Sequence, residues 1–234
     1  MRQFSVRAKQ FVRGLVHRSD RKTFCISMQR SGTTSVGRFF RDFGFRVAGW
    51  PADARNKWSE AWVDGKHERI FSSSDFRASN AFEDSPWFFP GLYQELHSRF
   101  PDARFVLFTR DEDAWFRSML SHSGGNVIGN TRVHCRIYDR EQEYADLVQS
   151  EGFSPEREHG LFSEKTLKLE GLDDHYKKIY LSHNRAAADF FSKFAPEALF
   201  VGKLEDRDKW KKLGEFLNLD VPDDYNVHEN RSRS

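Results

Sequence analysis

Only two cysteines, Cys25 and Cys135, occur in the 234 residues, too few for a disulfide framework or a cysteine-built metal site. No apolar run approaches the roughly 20 residues needed to span a bilayer. Charge of one sign is also scarce: 37 Lys and Arg stand against 35 Asp and Glu, a net +2. That balance argues against a nucleic-acid partner, so any affinity for anions must be local. Internal repeats and low-complexity segments are missing too. What is plentiful is aromatic. With 23 Phe and 6 Trp in a 38% hydrophobic composition, the chain can pack a single core of ordinary domain size. The 31% charged residues are interspersed with apolar ones, the pattern of a solvated surface and not of disorder.

Three stretches follow from composition: a basic segment at 1–21, one α/β domain at 22–222 and a polar tail at 223–234. The first carries Phe4, Val6, Phe11, Val12, Leu15 and Val16 among Arg and Lys, without the continuous apolar centre of a signal peptide. It suits either a docked terminal helix or an amphipathic helix in weak contact with a membrane surface. A cytoplasmic location is expected.

Within the domain, strands alternate with helices. Thr23–Met28 reads as a buried strand, and a helix over 34–43 follows with Val36, Phe39, Phe40 and Phe43 at helical spacing. Residues 45–48 form a second short strand, and 50–71 read as helical. A strand over 78–82 ends in Glu83-Asp84-Ser85-Pro86, and 90–100 form a helix. Residues 104–109 are the clearest strand, continuously apolar through Phe105-Val106-Leu107-Phe108, as expected when helices cover both faces of a parallel sheet. Arg110 follows it, and Asp111 caps the next helix. A Ser/Gly/Asn-rich loop is expected over 121–130, helices over 138–150 and 174–194, a last strand over 199–202 and a last helix over 210–217. This order predicts a doubly wound, mainly parallel sheet flanked by helices, with a helix-rich second half and ligands at the carboxyl ends of the strands.

Three features converge on that edge. The turn Arg30-Ser31-Gly32-Thr33-Thr34-Ser35 joins the first strand to its helix. Gly32 permits a close turn, Thr33 and Thr34 add hydroxyls, and the helix start supplies N–H groups and the positive end of its dipole. Such a turn cradles phosphate or sulfate, although a Ser/Thr-capped helix after a Gly turn has the same outline. Arg30 tips the balance, because a structural turn needs no cation at the strand end. A nucleoside triphosphatase would place Lys after a second Gly, and this loop has none. The second and third features are Asp84 and Arg110.

These residues resemble the sulfotransferases that use 3′-phosphoadenosine 5′-phosphosulfate (PAPS). Gln-Arg-Ser-Gly-Thr-Thr-Ser is similar to their 5′-phosphosulfate loop. Arg110 at a strand end, with Ser118 eight positions on, is similar to their 3′-phosphate motif. Phe82-Glu83-Asp84-Ser85-Pro86-Trp87 resembles the strand end that carries the base, with Asp84 where the familiar cytosolic branch has His. An acidic base resembles a subgroup of smaller members, as do His183-Asn184, Lys203-Leu204-Glu205 and the stretch from Trp210 to Pro222.

The resemblance implies a P-loop-like fold, PAPS as co-substrate with 3′,5′-adenosine bisphosphate as product, no metal, and a hydroxyl- or amine-bearing acceptor. It implies that Arg30 and the loop through Ser35 hold the phosphosulfate, that Arg110 and Ser118 hold the 3′-phosphate, and that Asp84 takes the acceptor proton. Asp84 otherwise serves to cap the turn before Pro86. Glu83 is the alternative base, though period-two alternation turns it away from Asp84. The competing readings are a nucleotide-binding P-loop protein of kinase or triphosphatase type, and a non-catalytic anion-binding domain. His134, His159 and His175 lack metal spacing, His122 is expected as an exposed loop residue or facing the acceptor, and of Trp50, Trp58, Trp62 and Trp87 most are expected in the core, the rest lining an acceptor pocket.

Overall fold

The computed structural model describes residues 21–150 and 167–227. The basic segment through Arg18, His159 and the end of the polar tail, 228–234, lie outside them. Contacts divide the chain into two units: one holds the described residues up to Arg110 and from Asn184, the other those from Asp111 to His183.

The first unit contains the sheet. Its strands are β1 (Thr23–Cys25), β2 (Val47–Ala48), β3 (Ala81–Phe82), β4 (Arg104–Thr109) and β5 (Leu199–Lys203). They lie in the order β2-β3-β1-β4-β5 and pair in parallel throughout. The expected α/β, P-loop-like architecture is therefore the one observed. The chain leaves β1 toward β2 on one side and returns through β3 to β4 on the other. That reversal opens a crevice at the carboxyl end of β1, where ligands bind in such sheets.

Alternation along β1 divides the core between the two faces. Phe24 packs on one face against Phe82, Trp87 and Phe105, with ring centroids 4.8, 5.4 and 5.7 Å away. Cys25 points to the other face, among Val36, Phe39 and Phe40 of α1 (Thr33–Asp42) and Trp210 of α11 (Lys209–Leu217). Phe39 and Trp210 stack at 5.4 Å. Fully burying each such ring contributes about 1.5–3 kcal/mol, so these two clusters clamp β1 at the centre of the sheet. The chain beyond α11 joins the second cluster: Tyr225 packs 5.3 Å from Phe43, and its hydroxyl donates to Asp42 at 3.0 Å.

Between β1 and β4 the remaining helices of this unit are α2 (Trp50–Asn56), α3 (Trp58–Val63), α4 (His67–Phe71), α5 (Ser74–Ala78) and α6 (Leu92–Arg99). The single helical stretch expected over 50–71 is thus three short helices. Lys57 breaks it with left-handed backbone (φ 54°) and Gly65 breaks it again (φ 69°). The physical reason is Asp53, which accepts from the Ser59 N–H and hydroxyl at 2.8 and 2.6 Å and folds α3 back on α2. Strand β1 also stops three residues earlier than expected. There the Ser27 hydroxyl, in place of a backbone carbonyl, accepts from the Phe108 N–H at 2.7 Å. By contrast β4 has the bounds that its apolar run predicts.

The second unit is helical: α7 (Glu112–Ser123), α8 (Thr131–Ile137), α9 (Glu141–Gln149) and the start of α10 (Asp173–Phe194). Asp111 caps α7 as expected, accepting from the Ala114 N–H at 2.8 Å. The helix runs to Ser123, so the expected loop begins only at Gly124 (φ 60°). Helix α8 was not expected; Asn130 caps it through the Val133 N–H at 3.0 Å. Its buried centre is a polar chain in which Arg140 donates to the Tyr176 hydroxyl at 2.8 Å and that hydroxyl meets His134 Nε2 at 2.7 Å. Burial, reinforced by Arg140, pushes His134 down to about 3, so it is a neutral structural acceptor. Among the described residues no helix is long and apolar enough to cross a membrane, and no group of three or more His, Cys, Asp or Glu could hold a metal ion.

Candidate active site

The carboxyl ends of β1, β3 and β4 each deliver one element of the site. After β1 the chain turns through Arg30 (φ 67°) and Gly32 (φ 82°) into α1. The turn is closed by the Ser31 N–H on the Met28 carbonyl at 3.1 Å and the Val36 N–H on the Gly32 carbonyl at 3.0 Å. Gly32 is required twice over. Its backbone is left-handed, and a Cβ there would lie 2.6 Å from Leu204 Cδ1. Leu204 is held over the turn by its own N–H on the Thr109 carbonyl at 2.8 Å. This gives Lys203-Leu204-Glu205 a physical role.

No side chain caps α1, and the first N–H groups of a helix have no carbonyl partner within it. Ser31 is fully buried, and its hydroxyl has no hydrogen-bond partner among the described residues. Thr33 and Ser35 are buried in the first turn and Thr34 faces outward. A buried hydroxyl aligned with a helix N-terminus fits a phosphate or sulfate oxygen well, since an unmet buried donor costs about 1–3 kcal/mol.

Arg110 follows β4 and reaches back across the crevice: its Nη1 donates to the Arg30 carbonyl at 3.2 Å, and its Nε lies 4.0 Å from Glu205. Burial lowers the Arg30 guanidinium below its ordinary value. Arg110 lowers it further, and Asp84 opposes both. Two arginines and one carboxylate therefore share a single field. Ser118 lies in α7 of the second unit, half-buried.

Asp84 follows β3 and, like Arg30, is a non-glycine residue in left-handed backbone (φ 69°). That conformation costs roughly 1–2 kcal/mol, and such strain clusters at functional sites. The Ser85 N–H donates to Asp84 Oδ1 at 3.0 Å. Burial pushes the carboxyl up from 3.8 to about 6. The Ser85 bond draws it down, Asp53 raises it and Arg30 lowers it. Glu83 faces other neighbours. Its side chain fills the space left by Gly37 and Gly49, where added Cβ atoms would meet Cγ at 2.8 Å and Oε1 at 2.1 Å. Arg41 lies 3.6 Å away. Burial, then Asp84, pushes Glu83 up to about 8.

Trp58 and Trp87 are core residues, whereas Trp50, at the carboxyl end of β2, is 59% exposed. Asp53 carries no motif, and its involvement became visible only in the fold. It is buried, its Oδ2 accepting from the Ser59 and Ser85 hydroxyls, each at 2.6 Å. The geometry can thus hold a bound anion between Arg30, Ser31 and a helix start, beside a carboxyl able to take a proton.

A parallel sheet whose first strand ends in a Ser/Gly/Thr turn with an unpartnered buried hydroxyl, with Arg110 and Asp84 on the flanking strands, is an α/β domain with room for an anion at its crevice. The chain belongs to the sulfotransferase domain family, whose profile matches residues 22–234, and it is a transferase of that kind. Among solved structures it is similar to a sulfotransferase from Alicyclobacillus acidocaldarius, at 14% identity over 89% of this chain and 87% of that one, with a TM-score of 0.44. No curated protein matches it.

Proposed function

We propose that the protein moves a sulfuryl group from PAPS to a hydroxyl or amine of a small-molecule, sugar or lipid-head acceptor, in the cytoplasm. The observation that carries this reading is the buried, unpartnered Ser31 hydroxyl at the start of α1, with Arg110 bonded to the Arg30 carbonyl on one flanking strand and Asp84 after the other. When bound, PAPS supplies the sulfuryl group and a 5′-phosphate as leaving group. Ser31 through Ser35 hold the phosphosulfate by N–H and hydroxyl donors. Arg30 neutralises charge that grows on the leaving oxygen as the S–O bond lengthens. Arg110 and Ser118 hold the 3′-phosphate. Asp84 accepts the proton that leaves the acceptor as its oxygen or nitrogen bonds to sulfur. A carboxyl near 6 is mostly ionised at neutral pH yet basic enough for that task. The transfer domain takes in 22–222.

Thermal stability with ligands tests the donor. A ligand that binds only the native state raises its stability, so 3′,5′-adenosine bisphosphate is expected to raise the melting temperature and ATP with magnesium to leave it unchanged. Arg110→Ala should remove about 1.5–3 kcal/mol of the preference for that bisphosphate over 5′-AMP. Stabilisation by ATP with magnesium alone would overturn the reading.

A further inference from the structure

The sheet register brings α2 to the proposed base. Ala48 of β2 pairs with Phe82 of β3, and neighbouring strands lie about 4.8 Å apart, so the chain entering α2 runs beside the chain entering the Asp84 turn. The Glu83 N–H on the Ala48 carbonyl at 3.2 Å carries that pairing one residue further. From α2, Asp53 then reaches Ser85. One serine thereby joins two carboxylates: its hydroxyl donates to Asp53 Oδ2 at 2.6 Å, and its N–H donates to Asp84 Oδ1 at 3.0 Å. Asp53 is held in turn by the Ser59 N–H at 2.8 Å and the Ser59 hydroxyl at 2.6 Å. Burial raises the Asp53 carboxyl, and the bonds from Ser59 and Ser85 draw it back toward the ionised form.

We propose that Asp53 is a positioning residue for Asp84, holding the Ser85 turn so that its N–H aims the Asp84 carboxylate, and setting that carboxylate's basicity by its own negative charge. The proposal rests on the reading of Asp84 as the base. Two opposing influences then act through one short chain. The charge of Asp53 disfavours ionised Asp84, and the N–H that Asp53 helps to hold in place favours it. The other titratable or charged groups whose charge is coupled to that of Asp84 are Arg30 from the turn after β1, the neighbouring Glu83, and Cys25 of β1. Burial pushes the Cys25 thiol up to about 12, which keeps it uncharged. Arg41 and Arg110 act at one remove, through Glu83 and Arg30.

The test follows the Asp84 carboxyl directly, by carbon NMR of the full chain labelled at aspartate, with Asp84→Asn identifying its signal. In Asp53→Asn, loss of the neighbouring charge lowers the Asp84 midpoint by about half a pH unit or more. In Ser85→Ala, loss of the hydroxyl tether loosens the N–H bond and raises it. Thermal stabilisation by 3′,5′-adenosine bisphosphate is expected to persist in both variants, because the donor turn is made by other residues. A purely structural role for Asp53 moves neither midpoint. An Asp84 midpoint that stays at its wild-type value in Ser85→Ala overturns the proposal, whether or not Asp53→Asn folds. Full turnover in Asp84→Asn would instead sink the base reading, and the NMR result would stand apart from it.

Discussion

At the scale of single residues, Asp84 and Glu83 are adjacent carboxyls with different surroundings, and so with different consequences. Asp84 shares a field with Arg30 and is pushed to about 6, while Glu83 is enclosed by the two glycines and pushed to about 8. Only an ionised Asp84 can accept a proton, so turnover should rise with pH through a midpoint near 6. Asp84→Asn is expected to abolish turnover while 3′,5′-adenosine bisphosphate still stabilises the fold; measurable residual activity with a wild-type pH profile would remove Asp84 from the mechanism. For Glu83 the consequence is stability. The folded protein binds its proton more tightly than the unfolded chain does, so its contribution is complete below about 4.5 and is lost as pH rises through about 8. Glu83→Gln should therefore gain stability relative to wild type steadily between those limits in urea titrations. An offset that is constant across pH would contradict this. Arg30 and Asp84 stand out in the sequence by residue type and neighbours in the chain. Asp53 was not, because nothing local distinguishes a helical aspartate that caps from one that braces another carboxylate.

At the scale of elements, the junction of α1, α2 and β3 is set by small residues. Gly37 on α1 and Gly49 before α2 leave the volume that the Glu83 side chain occupies. The Gly49 backbone is extended (φ −118°), so a methyl group there meets a steric obstacle and no conformational one. Gly49→Ala is expected to cost about 1–3 kcal/mol as an overpacking change. In the Glu83→Ala background most of that cost should vanish, giving a coupling of about 0.5–3 kcal/mol in a double-mutant cycle. Additive costs would mean that the two residues do not share this space. Element reading from sequence succeeded where one signal dominated. The run Phe105-Val106-Leu107-Phe108 suits a strand buried on both faces, and β4 has the expected bounds. It failed over 50–71, where Trp58, Trp62 and Val63 repeat at helical spacing across a break. That break is made by Lys57 backbone and by hydrogen bonds from Ser59 to Asp53, which helical periodicity does not encode.

At the scale of the whole sheet, strand order decides which residues meet at the crevice. The order β2-β3-β1-β4-β5 puts the anion turn and Arg110 on adjacent strands β1 and β4, and Asp84 and the approach to α2 on adjacent strands β3 and β2. Donor binding should thus be felt on one side of the crevice. Amide hydrogen exchange is expected to slow at residues 30–35 and 110 on addition of 3′,5′-adenosine bisphosphate, with Gly49 to Asp53 unchanged; equal slowing on both sides would contradict this division. The sequence by itself determined the class of fold, the family likeness and the Ser/Gly/Thr turn after the first strand. Those depend on periodicity and on residues a few positions apart, and both are local quantities. Tertiary structure alone decided that Leu204 closes over Gly32, that Arg110 reaches the Arg30 carbonyl, and that Asp53 meets Ser85 from 32 residues away. Parallel strands are joined by long crossovers, so the residues that meet at their carboxyl ends are far apart in the chain. Their meeting is a property of strand order, and the turn that first suggested an anion becomes a site only once that order is set.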